Sequence, residues 1–262
     1  MRRTAGNSHR EPALKDEAVR IIGIDLAWQS ERNTTAVAVG VLRENRLVIE
    51  ELHEALESLD AIVAVISNHP DASGISIDAP LVIPNERGQR ACERALGRVY
   101  GRMKASCHAS NLSLYPDAAS VRLADTLSAA GFVHLGAPVT GKWQIECYPH
   151  PAIIELFGLP ERLRYKKGRV GERRAGQVEL ARYLRALESS QVIGLRLESS
   201  LASVVEDVRI LGKRGKALKR NEDALDAIIC TYIGALYVRG VTAHCFGTAA
   251  DGHIYVPALR CL

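Results

Sequence analysis

The first strongly patterned segment of the chain is a short apolar run that predicts a buried strand. In this run, "RIIGID" at residues 20–25, β-branched residues follow one another without helical spacing and end at Asp25. Two further apolar runs, at residues 34–42 and 46–52, are joined by the turn "REN" and predict two more strands. Because the connections are short, we expect the three strands to form an antiparallel meander.

The next two segments change from a helical to a strand-like pattern. Residues 58–68 carry apolar positions at helical spacing behind Ser58, a residue type that caps helices well. Residues 74–84 return to an apolar strand pattern that is interrupted at Asp78. A strand that follows a crossover helix lies parallel to the earlier strand, so we expect this strand beside the first one.

The remainder of the chain is predicted to be mainly helical, with one strand and a closing hairpin. The predicted strand lies at residues 142–151, and the hairpin lies at residues 242–259. The expected helices are at residues 86–98, 117–131, 151–158, 177–188 and 221–240. Asn221 is the expected N-cap of the last helix. Together these elements predict an α/β fold with a mixed sheet, a three-stranded antiparallel meander plus parallel strands, flanked by helices.

Length and composition predict one domain in an ordinary cytoplasmic protein. With 262 residues the chain can bury a large core, and we assign residues 19–262 to one domain with a helical and basic insertion around 86–140. Residues 1–18 have no apolar segment, which predicts a disordered polar tail and no signal peptide. The six cysteines lack C-x-x-C spacing, which indicates a reduced cytoplasmic protein without zinc, and Cys107-His108 and Cys147…His150 are only weak alternatives as metal ligands. No apolar run is long enough for a membrane span.

Acidic residues recur at the ends of the predicted strands. They are Asp25, Asp78 and Glu146 on strands, and Asp223 and Asp226 at i, i+3 spacing on the last helix. In an open α/β sheet, ligands bind outside the carboxyl ends of strands, where the strand order reverses. Carboxylates that converge there need cations, and oxygen ligands suit Mg²⁺ or Mn²⁺. Two such ions about 4 Å apart can activate water and stabilise the leaving oxygen of a phosphodiester.

Each acid also has an ordinary structural explanation. Asp25 can cap a turn, Asp78 can belong to a turn, and Glu146 can lie on the solvent face of an edge strand. Asp223 in a first helical turn would complement the helix dipole, whereas Asp226 lies deeper in an apolar helix. Taken one at a time, these explanations are as good as a functional one. Four elements that end in acids at one predicted edge favour a site.

Four segments in a fixed order resemble a family of predicted nucleases with an RNase H-like fold, whose own activity is inferred from that fold. The segments are "IIGIDLAW", "ISIDAPL", "ECYPHPA" and "NEDALDAIICTYIGALY", and the resemblance spans residues 20–258. The last helix also resembles the acidic helix of RuvC-type resolvases. The resemblance implies an RNase H-like fold and metal-dependent cleavage of DNA or RNA.

The resemblance also implies roles for the acidic residues. It makes Asp25 the metal-bridging carboxylate and Asp78 a second ligand, with both catalytic. Asp226 becomes the best ligand and catalytic residue of the helix, and Asp223 the next. Glu146 is a further metal ligand, although RNase H-like enzymes vary in the origin of this acid.

Basic residues are expected to contact the phosphates of a nucleic acid. Residues 161–174 are rich in Lys and Arg, and residues 209–220 hold six basic residues and no acid. The candidate phosphate contacts are Arg87, Arg90, Arg94, Arg98, Lys166 and Lys167. The four arginines recur every three or four residues, which predicts a common helical face. The ordinary alternative is that such runs are solvated surface.

Two other functions stay open. An ATP-dependent phosphotransferase of the actin-like and sugar-kinase superfamily also begins with a strand that ends in Asp. Such enzymes duplicate the fold, yet no second Gly-x-Asp strand follows in the second half of this sequence. A catalytically inactive nucleic-acid-binding scaffold would keep the basic faces but lose the acids, which are present. The sequence therefore favours a nuclease.

Overall fold

A computed structural model describes residues 18–28 and 33–262 of the chain. All but the last residue of the predicted tail, residues 1–18, lie outside the described residues. The strands are β1 (Val19–Asp25), β2 (Thr35–Arg43), β3 (Arg46–Leu56), β4 (Ala72–Asp78), β5 (Val133–His134), β6 (Trp143–Glu146), β7 (Gly194–Leu197), β8 (Ala243–Thr248) and β9 (Gly252–Pro257). The helices are α1 (Leu59–Ser67), α2 (Ala91–Tyr100), α3 (Ala119–Ala129), α4 (Pro149–Phe157), α5 (Val170–Ala186), α6 (Asp207–Gly212) and α7 (Gly215–Val238).

Seven strands form one mixed sheet in the order β5-β6-β4-β1-β2-β3-β7. Strand β2 is antiparallel to both β1 and β3, whereas β4 is parallel to β1 and to β6. The central order β3-β2-β1-β4-β6, with only β2 reversed, is the RNase H-like arrangement. The predicted fold class is therefore confirmed, including the antiparallel meander. Strands β8 and β9 pair separately as the predicted hairpin.

Helices cover both faces of the sheet, which explains why β1 and β2 are apolar along almost their whole length. On one face, Ile21 and Ala38 belong to a core that α7 completes. On the other face, Ile22 and Val39 pack with residues of α1 and α3. The Ser58 hydroxyl accepts a hydrogen bond from the Ala61 N–H at 3.1 Å, so the predicted cap of α1 is confirmed.

A glycine in β1 sets the position of α7. A Cβ atom at Gly23 would lie 2.2 Å from the Thr231 nitrogen and 2.4 Å from the Ala227 carbonyl oxygen. These are backbone atoms of α7, so a larger residue would push the helix away from the sheet. Gly23 therefore brings the acidic turns of α7 close to the end of β1.

Helix α7 begins six residues before Asn221, so the predicted N-cap at Asn221 is wrong. The basic residues that precede Asn221 include good helix formers, and they extend the helix at its N-terminus. Asn221 is buried inside the helix and donates to Gln177 Oε1 at 3.2 Å. Asp223 and Asp226 consequently lie in the third and fourth turns, where a helix dipole does not explain them.

Helix α2 also begins later than its pattern predicts, and this changes the arginine face. Arg90 is the extended N-cap of α2, and its backbone N–H donates to Glu93 Oε2 at 2.9 Å. Arg87 precedes the helix in an irregular segment. The prediction that Arg87, Arg90, Arg94 and Arg98 share one helical face is therefore wrong, because only the last two lie within α2.

The segment predicted as an insertion, residues 86–140, contributes α2, α3 and the short edge strand β5. The two outermost strands of the sheet, β5 and β7, have no distinct sequence pattern, since they contain two and four residues. In the described part of the chain, no helix combines the length and the apolar character that a membrane crossing needs.

Candidate metal and phosphate site

The site lies where the parallel strands β1 and β4 end. Asp25 and Asp78 are the last residues of these strands and are directly opposite each other in the register. Helix α7 brings Asp223 and Asp226 to the same place. We refer to these four aspartates as the acidic corner. The sheet edge that was predicted to gather these acids does gather them.

Asp226 is fully buried and is held by two neighbouring residues of one loop. The Tyr165 hydroxyl donates to Asp226 Oδ1 at 2.6 Å. Lys166 Nζ lies 2.7 Å from Asp226 Oδ2 and 3.6 Å from Asp78 Oδ2. Lys166, a predicted phosphate contact, thus lies directly against two of the predicted metal ligands.

Asp223 contacts both Asp25 and a lysine of its own helix. Asp223 lies close enough to Asp25 for its charge to raise the pKa of the Asp25 carboxyl. Lys219 Nζ lies 2.6 Å from Asp223 Oδ1 and 2.8 Å from Glu222 Oε1. The second oxygen, Asp223 Oδ2, is buried and has no hydrogen-bond partner among the described residues. A buried carboxylate oxygen without a partner is costly unless a cation binds it.

The acidic corner shifts the pKa of its own strand-end acids upward. Burial raises the pKa of Asp25 well above its ordinary range, and neighbouring aspartates add to this shift while Lys166 opposes it. Burial likewise raises the pKa of Asp78 to about 6, again against Lys166. Like charges and poor solvation both disfavour the ionised form, so the nearby lysines compensate the corner only in part.

Glu146, a third strand-end acid, is paired in a different way. Arg90 Nη1 and Nη2 donate to its two carboxylate oxygens at 2.8 and 2.6 Å, and the Leu81 N–H donates at 3.0 Å. The Arg90 Nε also donates to Glu93 Oε1 at 2.8 Å. We refer to Arg90, Glu93 and Glu146 as the arginine corner. The predicted ligand Glu146 and the predicted phosphate contact Arg90 therefore bind each other.

A cleft of about 550 Å³ opens above the acidic corner and is lined by Asp25, Asp78, Glu146 and Arg90 among others. The cleft lining also contains a basic wall, which we define as Arg162, Arg164 and Lys167. The basic wall comes from residues 161–174, the stretch that the sequence predicted to track phosphates. The remaining candidate contacts, Arg87, Arg94 and Arg98, lie outside the cleft lining.

Two residues of the site have surroundings that the sequence did not predict. Tyr165 is completely buried and fixes Asp226. His150 lines the cleft, and its Nδ1 is buried without a hydrogen-bond partner among the described residues. Burial and the nearby Lys166 lower the pKa of His150 well below its ordinary range, so the ring is neutral at pH 7. In the segment "ECYPHP", His150 was considered only as a metal ligand together with Cys147, and nothing indicated its place beside Lys166.

The donor set suits a hard divalent cation, although no ready-made cage is present. In residues 18–28 and 33–262, no three His, Cys, Asp or Glu side chains are arranged as a metal-binding group. Several of the carboxylate oxygens already contact other side chains, namely Lys166, Tyr165 and Lys219. The unpartnered Asp223 Oδ2 and the incompletely compensated Asp25 and Asp78 are oxygen donors of the type that Mg²⁺ and Mn²⁺ prefer. The residues therefore fit one such ion.

Comparisons with known proteins identify the family of the chain. No curated protein matches the sequence. Among solved structures, the chain is similar to the human cytomegalovirus terminase nuclease domain, with 16% identity, a TM-score of 0.33, and coverage of 86% of this chain and 90% of that one. So low a TM-score supports no inference about function. A family model described as "Protein of unknown function (DUF429)" matches residues 23–251, most of the sequence. The chain therefore belongs to the DUF429 family.

Proposed function

We propose that this protein is a divalent-metal-dependent nuclease that hydrolyses phosphodiester bonds in DNA or RNA. The observation that carries the proposal is the in-register pair Asp25 and Asp78 at the ends of two parallel strands, with Asp223 beside them. Ligands of open α/β sheets bind at such an edge. The order of the sequence segments that resemble predicted nucleases supports the same activity.

The acidic corner and the basic wall need partners of opposite charge. The acidic corner needs a cation to relieve the repulsion among its carboxylates, and the basic wall needs an anion. A phosphodiester held next to a divalent ion satisfies both requirements in one complex. An uncharged substrate would leave Arg162, Arg164 and Lys167 without a role.

The acidic and the basic residues of the site would have different roles. Asp25, Asp78 and Asp223 would hold the metal, and the basic wall would hold the phosphates on either side of the scissile bond. A bound Mg²⁺ or Mn²⁺ supplies a water of lowered pKa and positive charge for the leaving oxygen. Asp226 and Glu146 stay candidate ligands, although Tyr165, Lys166 and Arg90 already bind their oxygens.

No observation favours the phosphotransferase alternative. That fold is duplicated, whereas residues 18–28 and 33–262 contain one seven-stranded sheet and one separate hairpin. The inactive nucleic-acid-binding scaffold differs from the nuclease in one measurable property, because a scaffold binds nucleic acid without cutting it.

The decisive experiment is a cleavage assay on end-labelled single-stranded, duplex and branched DNA and RNA, with Mg²⁺, Mn²⁺ or EDTA. We expect cleavage with metal and none with EDTA. Asp25→Asn and Asp78→Asn should each lower the cleavage rate by at least about 100-fold. Loss of a metal ligand should cost more activity than loss of a residue that only hydrogen-bonds to a ligand, which costs about 10- to 100-fold.

Asp117→Asn is the matched control, since that side chain is 73% exposed and lies outside the cleft. This variant should cut at the wild-type rate. Binding of nucleic acid without cleavage in every metal would favour the scaffold. Thermal stabilisation by ATP and not by nucleic acid would favour the phosphotransferase.

A further inference from the structure

We infer that the Lys166 ammonium takes the place of a second metal ion, so that the site binds one divalent cation per chain. The inference rests on the proposed metal-dependent function and specifies how the site is charged. It departs from the pair of ions that the sequence suggested.

The Lys166 ammonium lies against two carboxylates of the acidic corner. Lys166 Nζ lies 2.7 Å from Asp226 Oδ2 on α7 and 3.6 Å from Asp78 Oδ2 on β4. It therefore bridges carboxylates from a helix and a strand. A second metal ion would need these same carboxylate oxygens as ligands. The ammonium and a second ion cannot both occupy the space next to Asp226 Oδ2.

The loop that carries Lys166 is fixed by buried contacts. The Lys166 side chain is only 23% exposed, and its neighbour Tyr165 is completely buried and bonded to Asp226 Oδ1 at 2.6 Å. Helix α5 packs closely on this loop, because a Cβ atom at Gly176 would lie 2.1 Å from the Arg164 carbonyl oxygen. A lysine on a mobile surface loop would have none of these contacts.

The charges of the acidic corner also favour a single divalent ion. The acidic corner has four aspartates, and among the described residues two lysines, Lys166 and Lys219, lie within ion-pair distance of them. Within residues 18–28 and 33–262, two negative charges therefore stay uncompensated, which is the charge that one divalent ion neutralises. Two divalent ions beside both lysines would make the corner positive.

The oxygens left for that ion are those that Lys166 and Lys219 do not contact. Asp223 Oδ2 is buried and has no hydrogen-bond partner among the described residues. Asp78 lies opposite Asp25 in the strand register and 3.6 Å from Lys166 Nζ, so it can contact both the metal and the ammonium. The structure thus assigns different oxygens to the ammonium and to the metal.

The test is the number of Mn²⁺ ions bound per chain, measured by titration calorimetry on the full-length protein without nucleic acid. We expect one ion for the wild type and two for Lys166→Met, a substitution that keeps the side-chain volume and removes the charge. Lys167→Met is the matched control, because Lys167 has no carboxylate partner among the described residues and should keep one ion.

The possible outcomes separate this inference from the proposed function. Two ions in the wild type would overturn the role of Lys166 while leaving a metal-dependent nuclease intact. One ion in both proteins, or binding only in Lys166→Met, would also overturn it. No ion in any protein would remove the metal site and the proposed function together.

Electron paramagnetic resonance of the wild type with excess Mn²⁺ keeps the inference testable if Lys166→Met does not fold. An isolated-ion spectrum is expected, and a spin-coupled pair would overturn the inference. Lys166→Gln offers a second uncharged variant, for which two bound ions and a coupled spectrum are expected.

Discussion

The acidic corner and the arginine corner lie at the same edge of one sheet, yet they balance their charges in opposite ways. In the arginine corner, Arg90 donates to both Glu146 oxygens and to Glu93, and backbone N–H groups complete the network. Burial alone would lower the pKa of the Arg90 guanidinium, but Glu146 reverses that effect and raises it far above its ordinary value. Arg90 is accordingly always charged.

The carboxylates of the acidic corner are less completely compensated than those of the arginine corner. Burial raises the pKa of Asp25 well above its ordinary range, Asp223 Oδ2 lacks a partner among the described residues, and the pKa of Asp78 is raised to about 6. The difference shows that strand-end carboxylates at one sheet edge can be compensated to different degrees. A set of buried acids whose compensation within the protein is incomplete is the better candidate for a site.

Removal of the arginine should produce the largest effect on stability. Arg90→Met leaves Glu93 and Glu146 buried without their cation, and we expect a loss of about 3–5 kcal/mol in the free energy of unfolding. Urea unfolding in EDTA measures it. Arg98→Met, an exposed substitution on the same helix, should change stability by less than about 0.5 kcal/mol. A loss below about 1 kcal/mol for Arg90→Met would mean that the arginine corner is not a structural network.

Neutralising one acid of the acidic corner should raise the free energy of unfolding, and the change should be smaller than the loss expected for Arg90→Met. Asp25→Asn removes a charge that its neighbours repel, so the metal-free protein should gain about 1–2 kcal/mol in the free energy of unfolding. Added Mn²⁺ should stabilise the wild type and leave Asp25→Asn unchanged.

The matched control for this comparison is Asp117→Asn, which should alter neither the metal-free stability nor the response to Mn²⁺. If Asp25→Asn proves less stable than the wild type in EDTA, then Asp25 is a satisfied structural acid. Both corners would then be fully compensated within the protein.

Much of this arrangement was predictable because local patterns carry it. The apolar runs fixed β1, β2, β3 and β4 well enough to place Asp25 opposite Asp78, since register follows from parallel neighbours. The acids of α7 were predictable for the same reason, although the N-terminus of the helix was not.

The partners of each acid depend on contacts that are distant in the sequence. Arg90 and Glu146 are 56 residues apart, and Tyr165 and Asp226 are 61 residues apart. No periodicity encodes such pairs, and a lysine in a basic run gives no indication of whether it faces solvent or a carboxylate. For this reason Lys166 was predicted as a phosphate contact although it lies against Asp78 and Asp226.

The smallest effect expected is a pH dependence confined to the acidic corner. The folded-state pKa of Asp78 is raised to about 6 from 3.8, so the folded protein binds a proton more tightly than the unfolded chain does. The resulting stabilisation is complete below pH 3.8 and is lost as the pH rises through about 6. Between pH 5 and pH 7 the metal-free wild type should lose about 1 kcal/mol relative to Asp78→Asn, measured by urea unfolding in EDTA at each pH. Saturating Mn²⁺ should shrink that loss, because the metal replaces the proton as the partner of the carboxylate. Parallel pH profiles for the two proteins would show that Asp78 is already compensated, and the contrast with the arginine corner would disappear at this residue.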